Sequence, residues 1–160
     1  MSGRDIPAGA GTLGSVPSFT VERRTALPPA EAWRRLTTWE NHTATVPLTR
    51  VTVLTPPPSG AGTVFVARTG PGRASFADPM RVAVWQPPTE DGGPGRCRLV
   101  KTGRVVTGWA EIEVRADGAG SAVRWEEDLE LPWLPRAFDG LTRGAGRRVF
   151  ARVVDTLLAG

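Results

Sequence analysis

Apolar and polar residues alternate in the first part of the chain with the period of a strand and then with that of a helix. Residues 18–25 alternate between the two kinds of side chain, which predicts a strand. Pro28 and Pro29 are followed by apolar residues at helical spacing through Leu36, which predicts a helix. Residues 41–45 allow a second, short helical turn.

The middle of the chain consists of short segments rich in β-branched residues, separated by turn residues. Successive short connections favour antiparallel neighbours, so these segments predict one meandering sheet. The predicted strands are residues 48–55, 63–69, 80–86, 96–102, 105–115 and 122–131.

The last segment changes to a helical period after Pro135. Its apolar residues predict one stripe along a helix of about six turns. The stripe contains Phe138, Leu141, Ala145, Val149, Val153 and Leu157.

Length and composition predict a single domain preceded by a tail. The chain has 160 residues, 40% hydrophobic and 22% charged, which excludes an acidic disordered chain. No apolar run approaches the roughly 20 residues that span a bilayer, so we expect no membrane span. Residues 1–17 lack the apolar core of a secretion signal and predict a flexible N-terminal tail before a domain over residues 18–160. Cys97 is the only cysteine, which fits a reducing compartment and predicts a cytoplasmic protein.

The basic charge of the chain is dispersed. The net charge is +4 and comes from arginines spread along the sequence, with Lys101 as the single lysine. Without a nucleic-acid motif and without tyrosine, the sequence predicts no nucleic-acid partner. The C-terminal segment is locally rich in arginine, as either a solvated helix face or a surface that binds an anionic partner. These arginines are Arg136, Arg143, Arg147, Arg148 and Arg152.

The order of elements and four short stretches resemble the SRPBCC superfamily, which includes START domains and pollen-allergen-like proteins. The stretches are Phe-Thr-Val-Glu-Arg at 19–23, Pro-Ala-Glu-Ala-Trp at 29–33, Thr-Trp-Glu-Asn-His at 38–42 and Val-Arg-Trp-Glu-Glu at 123–127. Within the superfamily, the chain looks most like the bacterial polyketide cyclase/dehydrase and lipid-transport group.

This resemblance implies an α+β helix-grip fold. In that fold a curved antiparallel β-sheet wraps around a long C-terminal α-helix, with two short helices after the first strand. It implies an apolar cavity for a small hydrophobic ligand, which we expect to be aromatic, polyketide-like or lipid. We expect no cofactor, and a monomer or homodimer.

Large aromatic residues and one arginine are the candidate ligand contacts. Each aromatic side chain either fills the core or faces the ligand, and the arginine would orient a polar group. The candidates are Trp33, Trp39, Phe65, Arg68, Trp85, Trp109 and Trp125.

Glu127 is the most informative charged position. Strand alternation places it on the same face as Trp125 and Leu129. If that face lines the cavity, Glu127 either pairs with an arginine, for which Arg68 is the candidate, or exchanges protons as a general acid or base. Alternatively, it lies at the strand end, where the sheet opens to water.

His42 is the only histidine, which excludes a metal site built from several histidines, and we predict no metal. It is either a second acid/base candidate or a structural residue near the cavity mouth. Cyclase relatives are described with cavity tyrosines, which this chain lacks. Of the other polar residues, Asp78 is expected to cap a turn and Cys97 to be a buried, inert thiol.

Three functions follow from the sequence. The first is a module that binds or transports a hydrophobic molecule. The alternatives are a polyketide cyclase/dehydrase-like enzyme that uses Glu127 or His42, and an interaction protein that uses the Arg-rich face of the last helix.

Overall fold

The described part of the computed structural model comprises residues 19–133 and 135–160, so the predicted tail at residues 1–17 lies outside it. Seven antiparallel strands form one sheet in the order β1-β7-β6-β5-β4-β3-β2. The strands are β1 (Phe19–Thr25), β2 (Thr49–Val53), β3 (Val64–Thr69), β4 (Phe76–Gln86), β5 (Gly95–Thr102), β6 (Thr107–Asp117) and β7 (Gly120–Glu130). Helix α1 (Pro29–Thr37) and a 3-10 helix (Trp39–Ala44) follow β1, and helix α2 (Asp139–Ala159) ends the chain. The predicted α+β helix-grip architecture is confirmed.

Strand β4 begins four residues earlier than the sequence predicts. Its first residues include Asp78 and Pro79, and proline is normally excluded from a strand paired on both sides. Here β4 pairs with β3 from Phe76 onward but with β5 only from Met80 onward. Pro79 therefore lies where one side of the strand is unpaired, and Asp78 belongs to the strand instead of capping a turn.

The apolar stripe predicted along the last helix is wrong for the first four of its six residues, which are exposed. Leu141 is 72% exposed and Val149 is 39% exposed, whereas Val153, Val154 and Leu157 are buried. Successive residues at a spacing of four rotate by about 40° around a helix, so the predicted stripe drifts off the buried face. The buried face instead follows Phe150, Val153, Val154 and Leu157.

The Arg-rich face of α2 is solvated in part: Arg143 is half-buried, and its Nε has no hydrogen-bond partner among the described residues. Arg147, Arg148 and Arg152 are exposed, and the side chain of Arg136 lies outside the described residues. Binding of an anionic partner by this face stays a prediction.

Two glycines of α2 differ in how closely the sheet approaches them. A Cβ at Gly146 would lie 2.8 Å from Phe19 Cε1, whereas a Cβ at Gly144 would meet nothing within 4 Å. We expect Gly144→Ala to raise the free energy of unfolding by up to about 1 kcal/mol, because alanine favours the helix over glycine. Gly146→Ala should lose that gain and fall below the parent protein, because the Phe19 ring must shift. Denaturant unfolding of both variants measures the difference, and equal stabilisation would show that Gly146 does not set the helix-to-sheet distance.

Candidate functional site

A cavity of about 310 Å³ lies between the concave face of the sheet, the 3-10 helix and α2. Most of its lining is apolar, and its ionisable side chains come from four elements. Trp39 and His42 line it from the 3-10 helix, and Val149 and Phe150 line it from α2. The sheet contributes Thr49, Val51, Phe65, Ala67, Thr69, Phe76, Asp78, Met80, Leu99, Lys101, Ala110, Trp125, Glu127 and Leu129, and Val46, Val106 and Leu131 lie between or after strands.

Strand alternation brings three charged residues to the concave face. Asp78 lies two residues before Met80 on β4, and Lys101 two residues after Leu99 on β5; all four line the cavity. Glu127 occupies the same face of β7 beside Trp125.

Strand β6 separates Lys101 from Glu127 and has small residues at the crossing. Gly108 pairs with Lys101, and Ala110 pairs with Glu127. Gly108 has a φ of 120°, and a Cβ there would collide with the Asp128 carbonyl oxygen. Small side chains at these two positions leave room for the lysine to reach across the strand.

The three charged residues form a buried cluster. Lys101 Nζ lies 2.7 Å from Asp78 Oδ2 and 3.2 Å from Glu127 Oε1. Trp125 Nε1 donates a hydrogen bond of 3.2 Å to Glu127 Oε2. Glu127 is only 1% exposed and Lys101 only 8%, so both groups are shielded from solvent.

Burial and charge act in opposite directions on this cluster. For Lys101, burial favours the neutral amine, but Glu127 and Asp78 outweigh burial and raise the pKa of its ammonium. For Glu127, burial is the largest influence and raises the pKa of the carboxyl, although Lys101 and Trp125 partly offset it. Lys101 therefore stays protonated, and Glu127 holds a proton at higher pH than an exposed glutamate does.

Aromatic rings form one wall of the cavity. Trp39 stacks on Phe65 with ring centroids 4.6 Å apart and an interplanar angle of 12°. Trp125 contacts the rings of His42 and Phe150 at 5.8 and 5.5 Å. Flat apolar surfaces of this kind suit a planar or cyclic ligand.

His42 is a buried residue held by the backbone. Its Nε2 lies 2.9 Å from the Leu36 carbonyl oxygen, so the neutral ring donates a hydrogen bond from Nε2. Burial lowers the pKa of His42, and the bond to Leu36 only partly opposes this. The ring contributes an uncharged surface to the cavity at neutral pH.

The lowered pKa of His42 predicts a stability change with acid. The unfolded chain binds the proton more readily than the folded one, so this stability is complete above about pH 6.5 and is lost as the pH falls through the lower folded value. His42→Gln keeps an N–H donor for Leu36 but does not titrate. We expect the free energy of unfolding to fall less steeply with acid in the variant than in the parent, as measured by urea unfolding at several pH values. If the free energy of unfolding changed with pH in the same way in the variant and the parent, His42 would not be buried in its neutral form.

The structure brings together five of the nine candidate residues. Trp39, His42, Phe65, Trp125 and Glu127 all line the cavity. Trp33 and Trp85 pack against each other with centroids 5.1 Å apart, and neither is among the lining residues. Trp109 lies on the convex face, where the Arg98 guanidinium stacks over its ring at 4.1 Å.

The pairing of Glu127 with Arg68 is wrong. Arg68 is exposed, because the neighbouring residues Ala67 and Thr69 are the ones that line the cavity. A strand residue between two inward-facing positions must point to the opposite side. The cation that pairs with Glu127 is Lys101.

Sequence reasoning missed Lys101 and Asp78 as site residues. Cys97, Leu99 and Lys101 follow the two-residue period of a buried strand face, and Lys101 is the single lysine beside many arginines. Continuing the two-residue period from Leu99 to position 101 places Lys101 on the buried face of the strand. Cys97 itself is buried, and burial raises the pKa of its thiol to about 12.

Among the described residues there is neither a cluster of metal ligands nor a helix that could span a membrane. Within residues 19–133 and 135–160, no group of three or more histidine, cysteine, aspartate or glutamate side chains is placed to hold a metal ion. Over the same residues, neither helix combines the length and the apolar character needed to cross a bilayer.

No family model and no curated protein matches the sequence. Three solved structures are similar in fold. Ara h 8.0201 has a TM-score of 0.59 and 12% identity, covering 90% of this chain and 99% of that one. TTHA0849 from Thermus thermophilus has a TM-score of 0.62 and 18% identity, covering 89% of this chain and 92% of that one. A point mutant of Thalictrum flavum norcoclaurine synthase, in complex with a transition-state analogue, has a TM-score of 0.57 and 10% identity, covering 89% of this chain and 94% of that one.

These similarities establish the fold. The chain has a helix-grip fold, as the sequence resemblance implied. It has the apolar cavity between sheet and helix that goes with this fold.

Proposed function

We propose that the protein binds a small hydrophobic ligand in the cavity between the sheet and α2. The observation that carries this proposal is the cavity of about 310 Å³, which falls at the lower end of the range for small-molecule sites. An aromatic or polyketide-like molecule suits the stacked Trp39 and Phe65 better than a long acyl chain does. A cytoplasmic location and a monomeric or dimeric state stay predictions.

Tryptophan fluorescence tests this proposal, because Trp39 and Trp125 line the cavity. Titration with polycyclic aromatic compounds should give saturable quenching. Ala67→Phe places a ring inside the cavity and should abolish the response. Ala116→Phe, at an exposed position on β6, is the matched control and should leave it unchanged. Quenching that survives Ala67→Phe would place the ligand elsewhere.

A second candidate is an enzyme of the cyclase or dehydrase type, favoured by the environment of Glu127. A carboxyl with a raised pKa inside an apolar cavity suits proton transfer to or from a bound ligand. His42 is the weaker candidate, because burial lowers its pKa and so disfavours the protonated ring that proton uptake would form.

Proton exchange separates the two candidates without knowledge of the natural substrate. If Glu127 abstracts protons, an aryl ketone bound in deuterated water should exchange the hydrogen next to its carbonyl faster with the parent protein than with Glu127→Gln. Binding of the ketone should be similar in both. Equal exchange rates would remove Glu127 from catalysis and leave ligand binding as the function.

A further inference from the structure

In the charged cluster, the N–H donors of Lys101 all face a partner within the protein. An ammonium has three N–H donors, and those of Lys101 face Asp78 Oδ2, Glu127 Oε1 and, more weakly, Met80 Sδ at 3.8 Å. The protein thus engages the lysine on every side. A ligand cannot use Lys101 as a donor without displacing one of these partners.

Within the charged cluster the unused hydrogen-bonding capacity is that of an acceptor; elsewhere in the lining, the buried Trp39 Nε1 is a donor without a partner among the described residues. Both oxygens of Glu127 have partners, Lys101 on one and Trp125 on the other. Asp78 Oδ1 is buried and accepts no hydrogen bond from any described residue. An unpaired buried carboxylate oxygen is costly, so it indicates a position where a donor is expected.

The charges of the cavity lining also favour a ligand that carries a hydrogen-bond donor and a positive charge. Among the described lining residues, Asp78 and Glu127 are the acids and Lys101 is the lone ammonium. His42 is neutral at neutral pH for the reason given above. A cation bound beside Asp78 would balance the negative charge that remains when both carboxyl groups are ionised.

We infer that the ligand is a hydrophobic amine, bound as its ammonium ion with an N–H donated to Asp78 Oδ1. This inference rests on the proposed ligand-binding function and specifies the chemical class of the ligand. A carboxylate ligand would meet two carboxyl groups and an ammonium whose donors are already engaged. Free fatty acids and other organic acids are therefore disfavoured.

Three compounds with one aromatic body test the inference on the unmodified protein: naphthylethylamine, naphthylethanol and naphthylacetate. Isothermal titration calorimetry at neutral pH should show the amine binding about ten- to one hundredfold more tightly than the alcohol, because its hydrogen bond is charge-assisted. The carboxylate should bind most weakly. An alcohol or carboxylate that binds as tightly as the amine would overturn the inference and leave the proposed function intact. No saturable binding by any of the three would overturn both.

Asp78→Asn tests the residue assigned to the amine. The variant keeps the shape of the side chain and removes its charge, so the amine should lose most of its advantage in affinity over the alcohol. Asp117→Asn is the matched control, since Asp117 pairs with exposed Arg24 outside the cavity. An amine preference that persists in Asp78→Asn would show that Asp78 does not bind the amine. The three-compound comparison decides the ligand class even if this variant folds poorly.

Discussion

Lys101→Met is expected to lower the free energy of unfolding by about 3 to 5 kcal/mol at neutral pH, which is the usual cost of removing one partner from a buried ion pair. Methionine preserves the length and much of the volume of the side chain. The loss therefore reflects Asp78 and Glu127, which remain buried without the ammonium between them. Chemical denaturation monitored by circular dichroism measures the change.

Two comparisons separate this electrostatic effect from lost packing. Arg98→Met removes a cation from the same strand, but one that is partly exposed, and should cost no more than about 1 kcal/mol. Adding Asp78→Asn and Glu127→Gln to Lys101→Met removes the stranded charges and should recover most of the stability. If the triple variant were as unstable as Lys101→Met alone, uncompensated charge would not be the cause.

Trp39→Ala is expected to lower the free energy of unfolding by about 3 to 5 kcal/mol, as for other large aromatic side chains removed from a core. Trp39 is 1% exposed, stacks on Phe65 and contacts both His42 and Trp85. Its removal enlarges the cavity, takes away the ring stacked on Phe65 and removes one ring contact each from His42 and Trp85. Thermal and denaturant unfolding measure the loss.

Trp133→Ala provides the same substitution at an exposed position. Trp133 is 64% exposed, and its described polar contact is an indole N–H bond to the Val105 carbonyl oxygen. The expected cost is within about 1 kcal/mol. Similar losses in the two variants would contradict the placement of Trp39 at the centre of the aromatic wall.

The order of elements could be predicted because each element has a local signal. Alternation marks β1 and β7, Pro29 opens α1, and turn residues separate the central strands. The sequence does not predict the start of β4, because a proline such as Pro79 cannot donate a backbone hydrogen bond and normally ends a strand. Only the pairing with β3 and β5 reveals that one side is free at that point.

Part of the site could be predicted for the same reason. Alternation along β7 is enough to turn Glu127 toward the same face as Trp125. Its partner depends on register across three strands, since Lys101 reaches Glu127 past Gly108 on β6. A single sequence contains no local signal for such pairing, and the strand period alone points to Arg68.

The central claim is that a small apolar ligand occupies the cavity, and the methyl group of Met80 reports on it most directly. Met80 lines the cavity, and the chain has 2 methionines, so the Met80 signal in a ¹³C-methyl NMR spectrum is readily assigned by substitution of Met80. During titration with a compound that quenches tryptophan fluorescence, we expect the Met80 signal to shift in proportion to the quenching. In Ala67→Phe the shift should disappear. A Met80 signal that stays unchanged while the fluorescence saturates would place the ligand outside the cavity and contradict the proposed function.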